Sequence, residues 1–521
     1  MTTSTISTTR LPDLRHIAHH TITPQQQNSE FLLSMNIYKT LILSVLLATG
    51  IDVQAQNANA IKQAVNEVIQ SQGMTHASLS VNVHNITRNQ TVYGYQPHQS
   101  LVPGSLCKIF TTAVGFDKLG AEFRFKTTLS YDGSIDKNGV LHGNLYIIGG
   151  GDPMLGSYRF RQTIPDTLFA AWHSAMVNKG IKSVDGQIFY CSNIFDNHPL
   201  HDSWQWGDIG NYYGAGAYGL NFHENMYFVY YNPGKKIGQP ATVDHLAPKG
   251  INVKSYNEVT TGSDGSGDQV VIYGDPNTNI RRYCGTVPLG KNAFAVKGAL
   301  PMPGKTCAEL FSAYLHAHNI NVTHNVSEIA NVPDKAVPLL EYYSNTYYII
   351  AQYTNQTSNN IYAESIFKYL GYDSYKKGTF ANGTKAIYNF FQSHGLNTTG
   401  IKIVDGSGLS RLNIITADFV CRFLTSIHKL PIYRDFAGSM AKVKESGTAK
   451  NMLKDLPNNI DVRIKSGTMD RVKSYAGYVN TEDGEVLCFC IICNNHTCSD
   501  SEIKSKMEKI IKTIALYKKQ K

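Results

Sequence analysis

Ser105 and Lys108 stand three residues apart at the start of a run that reads as a helix, from about Ser105 to Leu119. A spacing of three stacks two side chains on one helix face, so the Lys108 amine can reach the Ser105 hydroxyl. If burial and neighbouring cations lower its pKa, the amine can take the hydroxyl proton, which makes Ser105 a candidate nucleophile and Lys108 its general base. The same pair also occurs at solvated helix starts, so alone it identifies nothing. Two further groups change that. Ser358-Asn359-Asn360 falls in a polar turn between two helical patterns, 253 residues after Ser105. Lys465-Ser466-Gly467-Thr468 ends a strand pattern 107 residues after Ser358.

The three groups follow the order S-x-x-K, S-x-N, K-S/T-G of penicillin-recognising serine enzymes. Ser446-Gly447-Thr448 repeats part of the third, but Glu445 precedes it, and an acid there would repel a carboxylate-bearing substrate. Asp405-Gly406-Ser407-Gly408-Leu409-Ser410-Arg411, Gly149-Gly150-Gly151-Asp152-Pro153-Met154-Leu155 and Tyr213-Gly214-Ala215-Gly216 extend the likeness. On these residues the chain resembles the D-alanyl-D-alanine carboxypeptidase/endopeptidase family, the class C low-molecular-mass penicillin-binding proteins, over nearly all of its length after a leader. The long gap between the first two motifs fits, because that family inserts extra domains there. Two positions depart from the family pattern: Asn359 stands where Asp is frequent and Ser466 where Thr is frequent. Both keep hydrogen-bonding capacity.

The resemblance implies an α/β fold: a penicillin-binding/β-lactamase-like transpeptidase domain, an antiparallel sheet flanked by helices, with a large β-rich insertion. It also implies a serine DD-peptidase acting on D-Ala-D-Ala type bonds of peptidoglycan stem peptides and cross-links, without metal or cofactor, with β-lactam antibiotics as inhibitors. Ser105 would attack the carbonyl, with Lys108 as base and Ser358 relaying a proton to the leaving group. Asn360 would orient the substrate backbone, and Lys465 with Ser466 and Thr468 would bind the terminal carboxylate. The family likeness further implies an oxyanion hole from the backbone N–H groups of Ser105 and Thr468. Two other readings are a serine β-lactamase and a non-catalytic peptidoglycan-binding or β-lactam-sensing protein. The first normally needs a Glu-activated water that cannot be assigned here, and the second has no use for a nucleophile paired with a base. Cys107, roughly 200° round the helix from Ser105, should face the core.

Other motifs mislead. Gly214-x-Gly216-x-x-Gly219 lacks the preceding hydrophobic strand of a dinucleotide site, and in Gly285-x4-Gly290-Lys291 Asn292 replaces the Ser or Thr that a P-loop needs for magnesium. Both read as turns.

The elements that must position the motifs can be read from periodicity. Ala60 to Gln72 is a helical pattern, and Ala77 to Val83 and Gln90 to Tyr95 are strand patterns. From Phe125 to about residue 335 short alternating runs separated by turns predominate, with few helical stretches. Helical patterns return at Leu339 to Tyr353, Ile361 to Leu370, Lys385 to Ser393 and Ala417 to His428. Strands are expected at Val462 to Lys465, Tyr475 to Val479 and Val486 to Cys493, the last buried on both faces. A capping box, Ser499-x-x-Glu502, opens a final helix that buries Ile503, Met507, Ile510, Ile511 and Ile514. Both ends of the chain therefore build one catalytic domain, residues 56–125 and 336–521. Residues 126–335 form an inserted β-rich part, expected to pack separately and to carry no acylating group.

Composition sets the outer limits. With 521 residues, 42% hydrophobic and 17% charged, the chain is globular and is neither disordered nor a polytopic membrane protein. Its net charge of +9 is spread along the chain without basic blocks, so no nucleic-acid partner is indicated. Residues 1–55 read as an extension and a signal peptide: Met35 to Lys39 gives a basic start, Thr40 to Ala48 an apolar run too short for a lasting anchor, and Val53-Gln54-Ala55 a cleavage site. Export to the periplasm follows. The nine cysteines are an odd number, so at least one thiol stays free or pairs outside the chain. Cys488 and Cys490 read as core thiols, and Cys493-x4-Cys498, with His496 between them, could form a bridge or a metal half-site, although no second half stands nearby.

Overall fold

The strand Val486–Asn494 shows how the catalytic domain is built. Alternate side chains of a strand point to opposite faces. Leu487, Phe489, Ile491 and Cys493 enter one hydrophobic cluster, whereas Cys488, Cys490 and Ile492 enter another. The sheet that contains this strand is therefore covered on both sides, as the unbroken apolar run predicts. Cys107, Cys488 and Cys490 are all buried, and Cys493 and Cys498 are free thiols.

The computed structural model describes residues 56–518. The leader expected within residues 1–55 lies outside them. Among the described residues no helix is long and apolar enough to cross a membrane. The catalytic sheet has six strands in the order Ala441–Lys442, Asp461–Met469, Val472–Asn480, Val486–Asn494, Ser78–Asn85, Gln90–Tyr95. Every pairing in it is antiparallel. One face is covered by the helix 56–69 and by Asp500–Ala515, which buries Ile503, Met507, Ile510, Ile511 and Ile514. Its capping box forms as expected, with Ser499 Oγ accepting from Glu502 N and Ser499 N donating to the Glu502 carboxylate. The other face carries Cys107–Leu119, Tyr347–Thr357, Asn360–Tyr375, Phe380–Ser393 and Ala417–His428. First and last segments thus pack side by side, and each fully buried Ile or Leu there contributes about 1.5–3 kcal/mol.

The middle of the chain departs from expectation in three ways. Leu339 to Tyr353 is not one helix: Val337–Tyr343 is a strand and Tyr347–Thr357 a helix. The strand lies at the edge of a five-stranded sheet beside Lys126–Tyr131, a place where Pro338 is tolerated. The inserted sheet therefore runs past residue 335. Two helices, Pro165–Asn178 and Pro303–Ala317, also stand among its short strands, each opened by proline at its first turn. Finally, the inserted part has its own core, around Trp172, Tyr227 and Phe311, but Met154, Phe195, Trp204 and Ala217 pack into the core of the catalytic helices. Of the two glycine motifs set aside above, Gly214 ends a short 3-10 turn, whereas Gly285 lies inside the strand Ile280–Pro288 and only Gly290 falls in a turn; no helix follows before Phe294–Ala299.

Candidate active site

Ser105 lies in the single 3-10 turn Gly104–Leu106 that leads into the helix Cys107–Leu119. The Lys108 amine sits 2.8 Å from Ser105 Oγ, 2.7 Å from Asn360 Oδ1 and 2.7 Å from the Ser407 carbonyl. Two of these three partners are carbonyl oxygens, which can only accept. A neutral amine donates two protons and keeps one lone pair, so with its N–H bonds taken by Asn360 and Ser407 the lone pair must face the Ser105 hydroxyl. Asn360 cannot rotate its amide to undo this, because its Nδ2 donates to the Tyr213 carbonyl at 2.7 Å. Burial of the lysine pushes its pKa below the ordinary value, offset in part by Glu364 and Asp405, which favours the neutral base.

Glu364 and Asp405 escaped the sequence reading. Glu364 lies four residues beyond Asn360 on the buried side of the helix Asn360–Tyr375, and its carboxylate accepts from Gly406 N at 2.9 Å and Ser407 N at 2.7 Å. It thereby anchors the backbone on the N-terminal side of Ser407, whose carbonyl holds Lys108. Burial, with Asp405 nearby, raises the Glu364 pKa. Asp405 ties the loop together by accepting from Gly408 N, Ser410 N and the Asn413 amide. The only sequence signal for Glu364 was a charge on an otherwise apolar helix face; Asp405 opens the quoted loop motif.

The third motif comes close because it has no side chain at one point. A Cβ on Gly467 would lie 2.4 Å from the Pro103 carbonyl, 2.3 Å from Ser474 Oγ and 3.0 Å from Ser105 N. Glycine there lets the strand Asp461–Met469 lie against the turn that carries Ser105. Gly408, with φ of +84°, crowds the same turn from the other side, where a Cβ would lie 1.9 Å from Gly104 O. Lys465 is fully buried, and its ammonium donates to Ser358 Oγ at 2.9 Å and to Ser466 O at 2.7 Å. Burial, and then the Lys108 charge, hold its pKa well below the ordinary lysine value. Ser358, in the left-handed region at φ of +60°, therefore takes its hydrogen bond from Lys465 and not from Lys108. This differs from the expected arrangement, in which Ser358 bridged Lys108 and Lys465 faced the substrate. Ser466 Oγ donates to Thr448 Oγ1 at 3.0 Å, so the repeat Ser446-Gly447-Thr448, set aside above, abuts the real motif. Thr468 is exposed, and its hydroxyl accepts from Lys473 at 2.8 Å.

These residues face a cleft of about 1000 Å³ lined by Ser105, Ser358, Asn360 and Thr468 on the catalytic side and by Gln205, Asp208 and Tyr213 from the inserted part. Arg159 lines it too, its guanidinium 4.7 Å from the centres of both the Tyr158 and Tyr353 rings, with Nε 2.8 Å from Glu224. Glu224 also accepts from Ser157 and Tyr362 hydroxyls, which commits it to that network. Cys107 is buried away from the cleft, and burial pushes its thiol pKa up. Among the described residues no cluster of three or more His, Cys, Asp or Glu side chains is placed to hold a metal ion.

Comparison with known proteins adds an independent line. The model of the D-Ala-D-Ala carboxypeptidase 3 (S13) family matches residues 61–515. The D-alanyl-D-alanine carboxypeptidase of Actinomadura sp. (strain R39) is 26% identical over 460 residues, covering 86% of this chain and 83% of that protein. The D-alanyl-D-alanine carboxypeptidase DacB of Haemophilus influenzae is 23% identical over 432 residues, covering 82% and 87%. The crystal structure of penicillin-binding protein 4 (dacB) from Haemophilus influenzae superimposes with a TM-score of 0.73 at 22% identity, covering 87% of this chain and 97% of that one.

Proposed function

The chain belongs to the D-Ala-D-Ala carboxypeptidase 3 (S13) family, and from that membership and the site geometry we propose that it is a serine DD-peptidase whose acylated residue is Ser105. Its substrates are peptides ending in D-Ala-D-Ala type bonds, in stem peptides and in cross-links. The observation that carries the assignment is the Lys108 amine at 2.8 Å from Ser105 Oγ, with its other two partners fixed as acceptors.

Lys108 takes the hydroxyl proton as Ser105 Oγ bonds to the carbonyl carbon. The N–H groups of Ser105 and Thr468 face the resulting oxyanion, a contribution of about 3 kcal/mol per donor. The C–N bond then breaks. The proton held by Lys108 leaves with the amine, and Lys108, neutral again, draws a proton from the water that hydrolyses the ester. Ser358, held by Lys465 at 2.9 Å, is the hydroxyl beside which that single proton passes to the leaving amine, and Lys465 keeps its own. The terminal carboxylate sits against Thr468, which lines the cleft and whose hydroxyl is held by Lys473 at 2.8 Å.

A β-lactamase needs a carboxylate free to activate water. Glu224 is taken up by Arg159, Ser157 and Tyr362, and Glu364 by two backbone N–H groups, so peptide hydrolysis is the better reading. The basic start and apolar run within residues 35–55 support export, which places the enzyme with its substrate in the periplasm.

Mass spectrometry after benzylpenicillin exposure tests the assignment. The native chain should gain the mass of one ring-opened penicillin on the peptide containing Ser105. Ser105→Ala should gain none while keeping its melting temperature within a few degrees, since the half-buried Ser105 hydroxyl gives up one hydrogen bond, with Lys108, and little packing. An adduct on any other residue would refute it.

A further inference from the structure

The chain has three tryptophans. Trp172 and Trp204 are buried, whereas Trp206 is 59% exposed. Trp206 is not isolated: its ring centre lies 6.2 Å from that of Tyr273, with the two planes 25° apart. Together they line a shallow groove of about 650 Å³ on the inserted part, whose remaining wall includes Asp275, Thr278, Ile280 and Arg282. The rim of this groove is held in place from behind. Arg281 is 1% exposed and spends one guanidinium nitrogen on three backbone carbonyls, of Asp275 at 3.0 Å, Thr278 at 2.9 Å and Ile280 at 2.8 Å. A Cβ on Gly274 would strike the Arg281 side chain, so the chain yields space to that clamp.

We propose that this groove is a glycan-binding platform which seats the amino-sugar strand from which the stem peptides hang. Two near-parallel aromatic rings offer an apolar face to the C–H side of consecutive pyranose rings, and Asp275 and Thr278 offer polar groups to their hydroxyls and acetamido groups. The charges beside it favour an uncharged ligand, because Arg282 is paired with Glu258 at 2.7 Å and presents no free cation to a phosphate or an acidic peptide. Its place in the chain supplies the link to catalysis. Trp206 follows Gln205 and precedes Asp208, both of which line the catalytic cleft, so one short loop borders the two sites. A stem of three or four residues spans roughly 10–14 Å when extended, which is the reach that seating the scissile bond in one site and its sugar in the other requires. The inference rests on the proposed peptidoglycan activity, but it can be read without it.

The test uses the full chain and glycan strands freed of their stem peptides. Trp206 is the one tryptophan accessible to acrylamide, so strand binding should lower the quenching constant at least twofold, and dextran should not. Trp206→Ala and, separately, Tyr273→Ala should each weaken strand binding at least tenfold. D-Ala release from a short peptide and penicillin acylation should stay unchanged in both, while hydrolysis of strand-linked peptides falls. Strand binding that survives both substitutions, or no strand binding by the native chain, would overturn the platform. So would a native dimer that becomes a monomer on Trp206→Ala, since the groove would then be an interface between copies. Loss of peptide hydrolysis and acylation in the native chain would instead refute the peptidase reading and leave the strand-binding result standing on its own.

Discussion

The proton inventory at Lys108 turns on residues that touch no substrate. Glu364 acts through the backbone at Ser407 and through its charge, which raises the Lys108 pKa against the lowering effect of burial. Glu364→Gln removes that charge, so Lys108 should become neutral at lower pH. The sign follows from the pair: a carboxylate nearby favours the ammonium, and its loss favours the amine. The acidic limb of the penicillin acylation profile should therefore move down by about one pH unit. A stopped-flow acylation profile checks the shift, and an unmoved limb would show that Glu364 only holds the loop. Some stability is lost as well, about 1–3 kcal/mol, since the Gln carbonyl can serve only one of the two N–H groups well.

At the level of elements, catalysis depends on how closely one strand can approach one turn. Gly467 lets the strand Asp461–Met469 reach Ser105, and Gly408 does the same for the loop that follows Asp405. Gly467→Ala should separate the strand from Ser105 by several tenths of an ångström and lower the acylation rate by about tenfold to a hundredfold, because misplacing reacting groups by about 1 Å can cost a hundredfold. The far side of the sheet should be unaffected, so circular dichroism should be native while the fluorescent-penicillin rate collapses. The elements themselves were largely readable. The capping box at Ser499, the two-faced strand Val486–Asn494 and the helix after Ser105 follow from periodicity and caps. Leu339 to Tyr353 was misread because apolar residues at mixed spacing satisfy a helix and a half-exposed edge strand alike, and only pairing with Lys126–Tyr131 settles which forms.

Across the whole molecule, the inserted part helps to complete the site. Tyr213 O fixes the Asn360 amide, Trp204 Nε1 donates to Asp405 at 2.9 Å, and Met154, Phe195 and Ala217 fill the helical core. Excision of residues 126–335 should therefore leave a product that cannot be acylated, since it exposes apolar core and frees Asn360 to turn away from Lys108. Penicillin labelling of any soluble product checks this, and full labelling would show that the catalytic half is self-sufficient. Trp204→Phe is the milder version: it removes one hydrogen bond to a carboxylate that keeps three other donors, and should cost about 1–2 kcal/mol.

The amino-acid order alone fixed the chemistry on offer at Ser105 and Lys108, because the two residues lie on one turn and local geometry needs no other part of the chain. It also determined the order of the motifs and the fold that those motifs imply. Distances across the chain were decided only by the tertiary structure. Glu364 gains its partners only where the loop at residue 406 folds over it, and Thr448, set aside as a false match, meets Ser466 through its turn. Lys465, expected to meet the substrate carboxylate, is instead buried by the sheet against Ser358. Each of these contacts joins segments at least 18 residues apart, and whether a charge is solvated or buried depends on what packs over it, which no local pattern of residue types records.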